Sequence, residues 1–329
     1  MTKKDKMDTK YRRLRANAQH HFLIKRGSMD QKKSAREWFM EGSRYDLLDP
    51  QSDKAIEAYK KSIILDPKYT AAYVNLGFIY LQKEDYEWAL ICLRRVVELE
   101  PNNPEAYNNL GYVYEKMDRL GSARQMYEQA LALNPENVEA IFNIGHISEL
   151  EGDYNNAVQQ YKKAIEVDPN AVSPRFFLAL LYDRHDMFDE AIQEYQGVLE
   201  MNPSHLNALF NLGNLYVQLG DYRKAINFFE RVLAFDPNNA EAWNNLGSIH
   251  EAMEKYEKAI AAYQKSLALN PFQEEANVNL AQNQYRQYLK NPDESKKDEI
   301  TRRLHFVLSI NPQKKKAQKL LDELMEEKR

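Results

Sequence analysis

Cysteine is almost missing from this 329-residue chain: Cys92 is the single one. One thiol excludes a disulfide framework and any cysteine-built metal cluster, and it fits a reducing compartment. Glycine is sparse too, at 11 residues, and none of them combine into a GxGxxG or other phosphate-cradling loop. No apolar stretch approaches the ~18 residues that a membrane span needs. The N-terminus MTKKDKMDTKYRRLR lacks an apolar signal region, so the chain reads as cytoplasmic. Seven histidines show neither HExxH nor any other ligand spacing. No metal, cofactor or catalytic group is expected, and Cys92 reads as a small packing residue.

What the chain does have is enough apolar content, 43%, to fill one large core or two ordinary ones. Its net charge of −4 conceals a division. Residues 1–36 hold twelve Lys or Arg against three Asp, whereas residues 37–312 hold 27 basic against 42 acidic. A basic arm precedes an acidic body.

The body is periodic. Turns written DP, EP or NP end at Pro67, Pro101, Pro135, Pro169, Pro203, Pro237 and Pro271, each 34 residues after the last, and Pro312 follows after 41. With this proline as position 32, Thr70, Pro104, Val138, Val172, Leu206, Ala240 and Glu274 open units two to eight. Position 8 then holds Gly77, Gly111, Gly145, Ala179, Gly213, Gly247 and Ala281. Position 20 holds Ala55, Ala89, Ala123, Ala157, Ala191, Ala225 and Ala259, and Tyr or Phe recurs at position 24. Residues this small let two helices cross closely, so each unit reads as one antiparallel helical hairpin.

This spacing and these residues resemble the tetratricopeptide repeat over residues 35–312. The resemblance implies an all-α fold: a right-handed superhelix, or alpha-solenoid, of about eight hairpins whose first helices line a concave groove. Residues 1–34 are expected to be a basic arm, partly disordered or a short helix. Residues 313–329 are expected to form a polar capping helix, of the kind stacked repeats need at an open end. The eighth unit departs from the pattern, with Ile300 at position 20 and seven extra residues around LKNPDESKKDE.

At 100° per residue, positions 4, 7, 8 and 11 of each first helix share the face turned to the partner helix, and positions 2, 5, 6, 9 and 13 point the other way. Position 6 is occupied by Asn75, Asn109, Asn143, Asn211, Asn245 and Asn279, with Phe177 the exception. Asparagine is a poor helix former, costing roughly half a kcal/mol against alanine, so its recurrence asks for a reason. A carboxamide complements one peptide unit, and a row of them would grip the main chain of an extended partner. The row resembles the asparagine ladder of O-linked N-acetylglucosamine transferase, a likeness carried only onto these six positions. The alternative is that the amides bond to neighbouring helices or water. Asn108 and Asn244 at position 5 are weaker candidates.

Around the row lie Phe78, Tyr112 and His146 at position 9, with acids at positions 2 and 12. An acidic, partly aromatic groove favours a partner segment with basic or apolar side chains. The expected function is a non-catalytic protein–protein interaction scaffold that binds extended peptide segments. Two alternatives stand beside it. In one, the basic N-terminal arm binds nucleic acid or an anionic membrane and gives a regulatory or targeting protein. In the other, the chain is an accessory subunit of a separate transferase.

Overall fold

Helix pairs follow directly from the 34-residue frame. The structure, a computed structural model, describes residues 33–326, so nearly all of the arm assigned to residues 1–34 lies outside the described residues. All regular structure among the described residues is helical, in seventeen helices. Contacts divide the chain into two units, one ending at Pro174 and the other beginning at Arg175. The first unit holds α1 (Ala35–Leu48), α2 (Asp53–Leu65), α3 (Thr70–Gln82), α4 (Tyr86–Leu99), α5 (Pro104–Lys116), α6 (Leu120–Leu133), α7 (Val138–Leu150) and α8 (Tyr154–Val167). The boundary falls within α9 (Val172–Arg184). The second unit continues with α10 (Phe188–Met201), α11 (Leu206–Gln218), α12 (Tyr222–Phe235), α13 (Ala240–Ala252), α14 (Tyr256–Leu269), α15 (Glu274–Lys290), α16 (Glu294–Ile310) and α17 (Lys315–Glu326).

Local chemistry sets the helix ends. Asn103, Asn137 and Asn239 cap α5, α7 and α13, while Asp85, Asp153 and Asp221 cap α4, α8 and α12. Each accepts a backbone N–H that would otherwise lack a partner. Where Asp or Asn precedes a turn proline it closes an Asx turn: Asp66 Oδ1 accepts from the Lys68 N–H at 2.9 Å, and Asp168 Oδ1 from the Asn170 N–H at 2.9 Å. Between the two helices of a hairpin, position 15 has a positive φ, at Glu84, Asp118, Gly152, Asp186, Gly220 and Glu254. Two glycines adopt this left-handed conformation freely and four acidic residues adopt it at some cost.

The glycine of position 8 has a specific partner. A Cβ added at Gly111 would lie 2.5 Å from the Tyr127 ring, and one at Gly145 would lie 2.8 Å from the Tyr161 ring. The close approach is therefore between position 8 and the aromatic side chain of position 24, and the alanines of position 20 are buried beside it. Tyr59, Tyr127, Tyr161, Tyr195 and Tyr263 are fully buried, as is Phe229.

The eighth hairpin absorbs its extra residues as helix. α15 and α16 each run 17 residues, against 13 or 14 for the helices of the preceding hairpins from α3 on. α17 then buries Ala317, Leu320, Leu321 and Leu324 in a core shared with Val278, Ile300 and Leu304.

Candidate functional site

Each buried tyrosine hydroxyl needs a hydrogen-bond partner, and the hairpins supply one in a repeated way. Tyr127 donates to Glu115 Oε2 at 3.0 Å, Tyr161 to Glu149 Oε2 at 2.7 Å, and Tyr263 to Glu251 Oε2 at 3.1 Å. Tyr195 and Tyr59 do the same toward Asp183 and Asp46, at 3.4 and 3.3 Å. These acids occupy position 12. Where position 24 is instead Leu93 or Phe229, position 12 is Leu81 or Val217, so acid and hydroxyl occur together. Burial raises the Asp183 and Asp46 carboxyls, against the lowering effect of their tyrosine bonds. The position-12 acids are thus anchors of the core tyrosines as well as edge charges.

A hydroxyl that donates to a carboxylate keeps a lone pair to accept with. Asn75 Nδ2 donates to the Tyr59 hydroxyl at 3.0 Å, and Asn211 Nδ2 to the Tyr195 hydroxyl at 3.1 Å. In other hairpins the partner is an asparagine of the preceding first helix: Asn143 Nδ2 donates to Asn108 Oδ1 at 2.9 Å, and Asn245 Nδ2 to Asn214 Oδ1 at 3.0 Å. All six position-6 asparagines are partly buried. In these four, one amide N–H is spent on the protein's own framework, while no described residue donates to the amide oxygen. Asn279 differs. Its Oδ1 accepts from Lys316 Nζ at 2.8 Å, and it also bonds the Tyr263 hydroxyl.

The remaining predicted residues are distributed as follows. Phe78 and Tyr112 are both 37% exposed, and Lys116 Nζ lies 4.9 Å from the Tyr112 ring centre. His146 stacks on Phe142 with 6.4 Å between centroids, and its Nε2 lies 3.7 Å from Glu115 Oε1. Asn109 sits half-buried on α5. Phe177, Asn211, Asn245 and Asn279 belong to the second unit, where Phe177 meets Phe176 edge-on at 6.0 Å. Asn245 lines a hollow of about 630 Å³ between α11, α13 and α15, together with Phe210, Asn214, Glu241, Asn244 and Phe272.

Three residues had little prominence in the sequence. Asn108, buried, links Asn143 to Glu139 by donating to Glu139 Oε2 at 3.1 Å. Asn244 buries its Oδ1 without a hydrogen-bond partner. Arg175 takes the position where all other units but the eighth carry a large apolar residue, and its Nη1 bonds Glu194 at 2.9 Å. The signal for Arg175 was Gly197, where a Cβ would lie 2.8 Å from Arg175 Cδ. Cys92 is buried and its thiol is pushed up to about 12 by burial, so little nucleophilic thiolate exists near neutrality. Among the described residues no group of acidic, histidine or cysteine side chains forms a metal site, and no helix is long and apolar enough to cross a membrane.

Models of the tetratricopeptide repeat match residues 176–240 and 210–274, residues 51–84, 79–118 and 150–185, and residues 104–137 and 126–159. Together they cover most of the chain. The chain belongs to the tetratricopeptide repeat family. No curated protein sequence matches it. Among solved structures, the C-terminal part of a TPR repeat-containing protein from Cytophaga hutchinsonii is 19% identical with a TM-score of 0.63, covering 74% of this chain and 98% of that one. Pseudomonas aeruginosa pilF is 21% identical with a TM-score of 0.55, covering 64% and 96%. The APC/C hetero-tetramer Cut9–Hcn1 is 19% identical with a TM-score of 0.52, covering 94% and 59%. At these identities the likeness is one of fold. Tetratricopeptide repeats are a protein-interaction scaffold type, and the family is typically non-catalytic.

Proposed function

We propose that the chain is a cytoplasmic, non-catalytic scaffold that holds extended segments of partner proteins against the exposed side of its first helices, with residues 35–312 as the eight-repeat binding body. The observation that carries this is the position-6 asparagines: at Asn75, Asn143, Asn211 and Asn245 the nitrogen is tied inward and the oxygen is left to accept. An amide held in one orientation binds at lower entropic cost than a free one. Phe78, Tyr112, His146 and Phe177 supply apolar contact beside the row. The Cut9–Hcn1 hetero-tetramer, which this chain resembles in fold, agrees in kind.

The quadruple variant Asn109→Ala/Asn143→Ala/Asn211→Ala/Asn245→Ala tests the reading. It is expected to lose one or more of the proteins that the wild type recovers from native cells, while circular dichroism shows that both remain helical. Recovery of the same set by a folded variant would refute it. The charge division supports a second reading, in which the basic N-terminal arm engages nucleic acid or an anionic membrane. Equal binding of labelled DNA and anionic vesicles by the full chain and by one lacking residues 1–34 would remove that reading.

A further inference from the structure

The hollow between α11, α13 and α15 is rich in acceptors. Glu241, Glu274 and Glu275 line it beside Asn244, and Asn245 commits one amide N–H to Asn214 while its oxygen is left to accept. Lys314 pairs there with Glu274 and Glu275. The wall is also aromatic: Phe272 is 68% exposed, and Phe210 packs edge-on against Phe229 at 5.4 Å.

The protein already shows what such groups hold. Lys314 donates its ammonium to Glu275 and lies 3.5 Å from Glu274, while Lys316 donates to the amide oxygen of Asn279 at 2.8 Å. A lysine on a glutamate pair and a lysine on a position-6 amide are thus both present within one unit. One resident ammonium against three carboxylates leaves the hollow with negative charge and open acceptors, the complement of a cation that carries several N–H groups.

We propose that this hollow receives a lysine or arginine side chain, flanked by an aromatic or aliphatic neighbour, from an extended segment of a partner protein. The cation sits on Glu241 and the amide oxygen of Asn245, and its neighbour packs on Phe272. This deepens the scaffold reading and rests on it: the row would favour donors, because at Asn75, Asn143, Asn211 and Asn245 one N–H is committed inward while the oxygen is left to accept. Charge complementarity chooses the occupant. An acidic segment would meet three carboxylates there and be repelled.

The test uses the full chain and fluorescence anisotropy with a labelled decapeptide in which arginine alternates with leucine and phenylalanine, beside a twin with citrulline for arginine. Glu241→Gln/Glu275→Gln is expected to weaken the arginine peptide by about tenfold and to leave the citrulline peptide unchanged. The exposed control pair Glu190→Gln/Glu257→Gln, with the same change in charge, is expected to weaken it by less than about twofold. Equal loss in both pairs overturns the proposal. So does tighter probe binding after removal of residues 1–32 together with displacement of the probe by a peptide of residues 10–26, since the occupant is then the chain's own arm. If Asn109→Ala/Asn143→Ala weakens the probe and the hollow variants do not, this site falls and the scaffold reading stands. If neither set matters, both fall.

Discussion

Tyr195 ties parts of its hairpins together: it donates to Asp183 and accepts from Asn211, and its ring is fully buried. Tyr195→Phe keeps the ring and removes both bonds. It should cost about 1–3 kcal/mol, read as a lower denaturant midpoint at an unchanged m-value. Asp183 has a pH signature of its own. Because burial raises its carboxyl, the folded state holds more protons than the unfolded state in the window just above the ordinary carboxylate range, and stability falls as pH rises through it. Asp183→Asn removes that slope, so the variant should gain on the wild type as pH rises through the window. A variant stability that stays level with, or falls relative to, the wild type as pH rises would contradict the assignment.

At the scale of the element, the hairpin turn decides as much as the helices do. Glu254 stands at φ 57° where Gly152 and Gly220 occupy the equivalent places. Glu254→Gly should therefore stabilise the protein by up to about 1 kcal/mol, measured by thermal or chemical unfolding, whereas Gly220→Ala should destabilise it. The helix crossing penalises added bulk through packing. Gly111→Ala places a methyl against the Tyr127 ring and should cost about 1–3 kcal/mol through displaced packing. The hairpins were legible in advance because small residues repeat at positions 8 and 20 in a 34-residue frame. The eighth hairpin was expected too, but not where its extra residues go: most of LKNPDESKKDE continues α15 and α16, because the longer helices bury Tyr288 and the stem of Lys297 against each other.

On the scale of the whole molecule, stability in stacked repeats is carried by neighbour contacts. α17 covers the end of the second unit by burying Leu320, Leu321 and Leu324. Removing residues 312–329 should speed amide hydrogen exchange in α15 and α16 first, with α5 and α6 in the first unit least affected. Uniform acceleration throughout would show that the two units unfold as one. The same packing covers Asn279: α17 returns against α15, and Lys316 reaches an amide that the pattern had placed in the binding row.

Helix content, hairpin pairing, the tyrosine cores and the position-6 row were set by the order of residues alone, because each depends on burial that alternates along the chain at a period a reader can count. Which way each amide turns was decided only in three dimensions. Its partner is a tyrosine hydroxyl 16 residues away at Asn75 and Asn211, an asparagine 35 residues away at Asn143, and a lysine 37 residues away at Asn279. Periodicity determines which face a side chain takes. The direction of a hydrogen bond depends on which atom of a distant residue the packed helices bring within 3 Å.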